Sequence, residues 1–199
     1  MTSCSTGGEE GQKRPSGRVR IQAKSEQRGT GPRIVVSRCL GFEACRYDGS
    51  MVQSSAVERL KAFCECVPVC PEMEIGLGVP RPPIRVVRGR DGDRLVQPET
   101  GRDLTEAMNC FAEEFLRSVG PVDGFVLKAR SPSCGLGDVE VFAGPLFSRP
   151  LARRVSGFFA RAVERRYPHL PVASEGRLEG PRVFDEFLTR VRAVALEVE

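Results

Sequence analysis

The sequence predicts an α/β protein: a three-layer αβα sandwich around a Rossmann-like, mostly parallel sheet, with a small β-hairpin insertion. Three observations carry that prediction. Short apolar runs rich in β-branched residues recur along the chain, as buried strands require. Amphipathic stretches with apolar side chains at helical spacing lie between them. Strands separated by helices favour a parallel sheet covered on both faces. At 199 residues the chain has the size of one domain, or of one domain with a tail.

Residues 1–32 read as a disordered basic tail, rich in Gly, Ser, Gln and charged side chains and poor in apolar ones. The folded domain then occupies 33–199. Ile34-Val35-Val36-Ser37 is a buried strand, and Ser55 to Glu65 is a helix with Val57, Leu60 and Cys64 on one face and Ser54 or Ser55 as its cap. Val67-Pro68-Val69 is a second strand. Ile84 to Val87 and Arg94 to Val96 flank a Gly-Arg-Asp-Gly-Asp turn and read as the hairpin. Asp103 to Val119 is the strongest helix, with Leu104, Met108, Phe111, Phe115 and Leu116 on one stripe and Gly120-Pro121 as its stop. Asp123 to Leu127 is a third buried strand, Leu151 to Arg166 a helix, Leu170 to Ala173 a short strand and Pro181 to Ala195 a last helix.

Composition narrows the function. Hydrophobic residues make up 40% and charged residues 28%, a globular balance rather than that of a fully disordered chain. No apolar run approaches the roughly 18–20 residues that span a bilayer, and the first residues lack the apolar stretch of a secretory signal; a cytoplasmic protein with no membrane partner is expected. The net charge of +4 resides entirely in residues 1–33, so the neutral body lacks the basic field of a dedicated nucleic-acid binder. With one histidine, His169, a multi-histidine metal site is excluded; its Tyr-Pro-His-Leu-Pro context reads as a structural connector.

Three of the eight cysteines fall just beyond strands: Cys39 after the first, Cys70 after the second, Cys134 after the third. Ligand sites in open parallel sheets form at that edge. Three thiols there could bind an iron–sulfur cluster with one iron open, hold zinc, or simply pack as small hydrophobes. Cys45 is a further thiol close to the first of them. Cys64-Glu65-Cys66 upstream of Cys70 is discounted as a metal string, because Cys64 lies on a helix's apolar face and Cys66 starts a strand.

Four ordered motifs then carry a resemblance. Ser37-Arg38-Cys39-Leu40-Gly41, Arg46-Tyr47-Asp48-Gly49, Val67-Pro68-Val69-Cys70-Pro71-Glu72 with Gly76-Leu77-Gly78-Val79-Pro80-Arg81-Pro82, and Leu127-Lys128-Ala129-Arg130-Ser131-Pro132-Ser133-Cys134-Gly135 resemble the motifs of the TudS-type thiouracil desulfurases. The likeness is dense from Arg33 to Gly137. Residues 93–107 and 167–182 are similar to the branch linked to 4-thiouridine in RNA, in which a second C-terminal domain follows; these 199 residues hold no counterpart of it.

The resemblance implies a [4Fe-4S] cluster held by Cys39, Cys70 and Cys134 and hydrolytic removal of sulfur from a small thiolated pyrimidine, with thiolated tRNA as the alternative partner. It implies a carboxylate base, Glu72 or its rival Asp48, with Ser131 and Ser133 binding the ring or donating a proton and Lys128 stabilising developing charge. A different class of function remains open, a non-catalytic iron–sulfur or zinc protein.

Overall fold

A computed structural model describes residues 31–197; Cys4 and all of the proposed tail except Gly31 and Pro32 lie outside the described residues. The elements run β1 (Arg33–Ser37), α1 (Ser55–Leu60), β2 (Glu65–Val69), α2 (Pro71–Glu74), β3 (Arg85–Arg88), β4 (Asp93–Gln97), β5 (Arg102–Asp103), α3 (Thr105–Ser118), β6 (Gly124–Leu127), β7 (Val139–Phe142), β8 (Pro150–Val155), α4 (Phe158–Arg166), β9 (Val172–Ser174), α5 (Glu175–Leu178) and α6 (Pro181–Leu196).

One sheet is parallel throughout, in the order β2-β1-β6-β9. Ile34 and Val36 of β1 and Val126 of β6 pack on one side against α1, α5 and α6, through Val57, Leu60, Leu178, Phe184 and Leu188. Val35, Phe125 and Leu127 pack on the other against α3 and α4, through Ala112, Phe115, Phe159 and Val163. This alternation is the period-2 signature of strands buried on both faces, and it produces the three layers predicted. Pro68 is accommodated because β2 is an edge strand. The first helix is shorter than predicted. Ser54 caps it, its Oγ accepting from Val57 N at 3.3 Å, but Glu65 is drawn into register with Arg33, so the helix must end early.

The predicted hairpin is the β3–β4 pair, Arg85 opposite Val96 through Arg88 opposite Asp93. It is not a small insertion but the middle of a second, five-stranded sheet ordered β5-β4-β3-β7-β8. The helix expected from Leu151 begins only at Phe158. Leu151 and Val155 have helical spacing, yet Pro150–Val155 is extended because Val155 pairs with Val139 and Glu140 with Arg154. The Asp93 carboxylate stitches this strand down, accepting from Arg153 at 2.8 and 3.1 Å and from Arg161 of α4 at 2.8 Å. Tertiary pairing overrides local propensity here. Ile84, Val86, Leu95, Val139 and Val141 pack this sheet onto Met108 of α3 and Phe158 of α4. Among the described residues no helix is long and apolar enough to cross a membrane.

Candidate active site

β1 sits between β2 and β6, so the loops leaving it and β6 diverge to opposite sides and open a crevice at the carboxyl edge of the sheet. A cavity of about 370 Å³ occupies that place, and Cys39, Cys45, Cys70, Cys134, Glu72 and Tyr47 are among its walls.

Local geometry fixes each thiol. Cys39 lies in a tight turn closed by Leu40 N donating to Ser37 O at 2.9 Å, and its carbonyl accepts from Val52 N at 2.8 Å. Cys70 is the N-terminal cap of α2, followed by Pro71 at the first helical position, where a missing N–H costs nothing. Ser131 organises the Cys134 loop: its Oγ accepts from Ser133 N and Cys134 N, both at 3.2 Å. The start of α4 holds the same loop from behind, with Phe158 N donating to Pro132 O and Ala160 N to Ser133 O, both at 3.1 Å. These are the otherwise orphaned N–H groups of a helix terminus. Gly157 lets the two backbones meet, since a Cβ there would stand 2.5 Å from the carbonyl carbon of Ser133. Ser37 Oγ accepts from Lys128 N at 2.9 Å, tying the end of β1 to the loop that carries Cys134.

Cys45 is fully buried and shares the cavity wall with Cys39 and Cys70. Cys70 Sγ also donates to the Cys45 carbonyl at 3.9 Å. Its bond to Cys39 first, then burial, pushes the Cys45 thiol up to about 11. Cys70 is raised by its bond to Cys45 and by burial, and Cys134 by burial, against the opposing pull of the Ser37 and Ser131 hydroxyls.

Glu72 faces the thiols and is held at both oxygens. Arg81 grips Oε2 through Nη2 at 2.5 Å and Nε at 3.1 Å; Ser133 and Ser131 donate to Oε1 at 3.0 and 3.5 Å. Arg81 is itself buried and spends further donors on the carbonyls of Cys45 and Gly78, at 3.0 and 2.7 Å. Ser131 lines the cavity, whereas Ser133 is fully buried behind it. Lys128 lines the cavity with its ammonium on Glu175 at 2.5 Å and on Ala129 O at 3.1 Å.

Asp48 is not brought to the cavity wall. Its carboxylate closes the turn after Tyr47, accepting from Ser50 N at 3.0 Å and Ser50 Oγ at 2.6 Å, and these bonds hold it below the usual carboxylate range. Local capping is what an Asp in a turn does best. Cys64 and Cys66 do not line the cavity; they pack with the α1 and α6 face. His169 is exposed and absent from the cavity wall.

The site also uses residues that sequence reasoning assigned no role: Arg81, Glu175, Ser37 and Gly157. Arg81 and Ser37 stand in the family motifs, so their positions were visible, but the pairing of Arg81 with Glu72, nine residues away, was not. Glu175 and Gly157 carry no local signal at all.

Cys39, Cys70 and Cys134 line the same cavity, and cysteine thiolates are the donors that iron–sulfur clusters take. Among the described residues no three His, Cys, Asp or Glu side chains form a group that could hold a single metal ion. Buried thiols, a clamped carboxylate and a serine-organised loop thus meet at the switch point of a parallel sheet, the place where α/β proteins of this class bind their ligands. The chain belongs to the 2-thiouracil desulfurase family, whose pattern matches residues 34–175. The Bacillus subtilis (strain 168) protein YbbK, itself uncharacterized, is 34% identical over 111 residues, covering 52% of this chain and 74% of YbbK. A solved structure of the [4Fe-4S]-dependent thiouracil desulfidase TudS superposes with a TM-score of 0.57 at 29% identity, over 84% of this chain and 99% of TudS.

Proposed function

We propose that the protein removes sulfur hydrolytically from thiolated uracil of the 2-thiouracil or 4-thiouracil type, with water supplying the oxygen that replaces it and sulfide as the second product. Family membership supports this reading, as does the likeness to TudS. The observation that carries it is a single cavity walled by Cys39, Cys70, Cys134 and Glu72. In this reading Cys39, Cys70 and Cys134 hold a [4Fe-4S] cluster, which when bound supplies a Lewis-acidic iron with room for a soft thiocarbonyl sulfur.

The chain's own residues handle protons and charge. Arg81 occupies Glu72 Oε2, which leaves Oε1 to take a proton from the attacking water. Ser133 holds that oxygen in place, and Ser131, on the cavity wall, offers its hydroxyl to a bound ring. Lys128 spends its donors on Glu175 and Ala129 O; an ammonium has three, and the third stabilises negative charge on the ring as carbon is attacked. Residues 34–199, in which basic and acidic side chains balance, favour a free base or nucleoside over a nucleic acid. A second reading, 4-thiouridine in tRNA, is favoured by Arg130. That residue lines this cavity and an adjoining cleft of about 420 Å³, and no carboxylate pairs with its side chain among the described residues.

The test is anaerobic reconstitution with iron and sulfide, followed by assay of sulfide released from 2-thiouracil, 4-thiouracil, 4-thiouridine and thiolated tRNA. Release from the free bases at a rate equal to or above that from tRNA is expected. Protein carrying a full complement of iron that releases sulfide from none of them contradicts the proposal.

A further inference from the structure

We infer that Tyr47 is the surface on which the substrate's pyrimidine ring stacks. This rests on the function proposed above and adds to it the residue that holds the ring by its face. Tyr47 is the one aromatic side chain among the residues that line the cavity. It is 44% exposed, although the thiols around the cavity are buried, and its phenol makes no hydrogen bond among the described residues. A large ring left half open on a cavity wall withholds apolar area that a flat ligand would cover. Thiolated pyrimidines are flat and polarisable, and every base presents a π-face to an aromatic ring.

The ring is held ready rather than left loose. Arg81 N donates to Tyr47 O at 2.9 Å, and Gly49 N to Arg46 O at 2.9 Å closes the turn that presents the side chain. Gly49 takes φ +76°, a left-handed conformation that glycine adopts without strain. The Arg46 guanidinium lies 5.8 Å from the ring centroid and is anchored by Ser50 Oγ at 2.9 Å, which in turn donates to Asp48 at 2.6 Å. Asp48, Ser50 and Arg46 therefore act as a brace beside the ring, which gives the Arg46-Tyr47-Asp48-Gly49 motif a purpose that the proton chemistry left unused. Arg81 joins the two halves of the site. Its backbone holds Tyr47 while its side chain holds Glu72, so the stacking surface and the base keep a fixed relation to each other.

A stack reads the face of a base and not its edge. Loss of the ring should therefore weaken 2-thio and 4-thio substrates alike, and the product uracil with them. The experiment uses the reconstituted holoprotein and compares the parent with Tyr47→Ala, Tyr47→Leu and Tyr47→Phe. It measures iron content, the Kd of uracil by calorimetry, and KM and kcat for 2-thiouracil and 4-thiouracil. With iron equal to the parent's, Tyr47→Ala and Tyr47→Leu should raise Kd and both KM values by about fivefold to a hundredfold, the range alanine substitution gives for a base on an aromatic ring, while Tyr47→Phe stays near the parent. Parent-like constants in Tyr47→Ala would overturn the inference, as would a loss confined to one isomer, or a Tyr47→Phe variant as weak as Tyr47→Ala. If the parent released no sulfide, the proposed function and this inference would fall together; sulfide release by the parent with unchanged constants in Tyr47→Ala would remove this inference alone.

Discussion

The two sheets differ in what their strand ends deliver. In the parallel sheet, β1, β2 and the loop after β6 hand the chain straight to Cys39, Cys70 and Cys134 at a common edge. In the second sheet no strand end carries a thiol. It supplies Pro83 and Ile84, just ahead of β3, as a wall of the cavity, and through β8 it delivers the chain to Gly157 and α4, which pin the Cys134 loop from behind. One sheet carries the chemistry and the other fixes its position. Damage to the first should appear in metal binding and turnover. Damage to the second should appear in stability, and reach the metal only where α4 touches the loop.

The largest effect within the first sheet, short of losing a ligand, should come from Glu72→Gln. It keeps the shape of the side chain and removes the carboxylate proposed as the base, so turnover should fall about 10²- to 10⁴-fold, the usual worth of general base catalysis, with iron content unchanged. Turnover close to the parent's in a variant with full iron would remove Glu72 from the proton chemistry.

Gly157→Ala tests the junction between the sheets. The added Cβ meets the Ser133 carbonyl carbon at 2.5 Å, and overpacking of this kind costs about 1–3 kcal/mol, or roughly 2–4 °C of melting temperature per kcal/mol for a chain of this size. Because the displaced backbone belongs to the Cys134 loop, iron content should fall with it. A destabilised variant that still holds its full iron would show that α4 does not position that loop. The smallest effect should come from Arg153→Ala in β8. Arg153 is half exposed and Arg161 remains on Asp93, so the loss should be below about 1 kcal/mol, measured by thermal melting, with iron and turnover as in the parent.

The same division explains what could be read from the residues alone. Strands β1, β6 and β9 are apolar runs mostly buried in the middle layer, and β2 is a β-branched run at its edge with only Val69 buried; composition declares all four, and the three thiols follow from counting past the ends of β1, β2 and β6. β8 could not be read that way. Pro150–Val155 is mostly exposed and Arg-rich, and what makes it a strand is pairing with β7 and the carboxylate of Asp93, 60 residues earlier in the chain. The carboxylates show the same limit. Glu72 and Asp48 both lie beside expected ligands in sequence, but Glu72 is turned into the cavity by Arg81 while Asp48 is turned away by its own Ser50. Ser37, Arg81 and Glu175 act through partners that only the folded chain brings near. Local pattern reveals which side chains are capable of the chemistry, and the hydrogen bonds of the folded chain decide which of them face the cavity.

The central claim is that three thiols, one from each of three loops, hold a single iron–sulfur centre. Iron and acid-labile sulfide per chain, measured after anaerobic reconstitution of Cys39→Ser, Cys70→Ser, Cys134→Ser and Cys64→Ser, test it most directly. Each of the first three variants should lose the cluster, with affinity down by more than the 10- to 100-fold typical of residues outside the ligand set, while Cys64→Ser binds as the parent does. Full iron and sulfide in any of the three, or their loss from Cys64→Ser, would contradict the account.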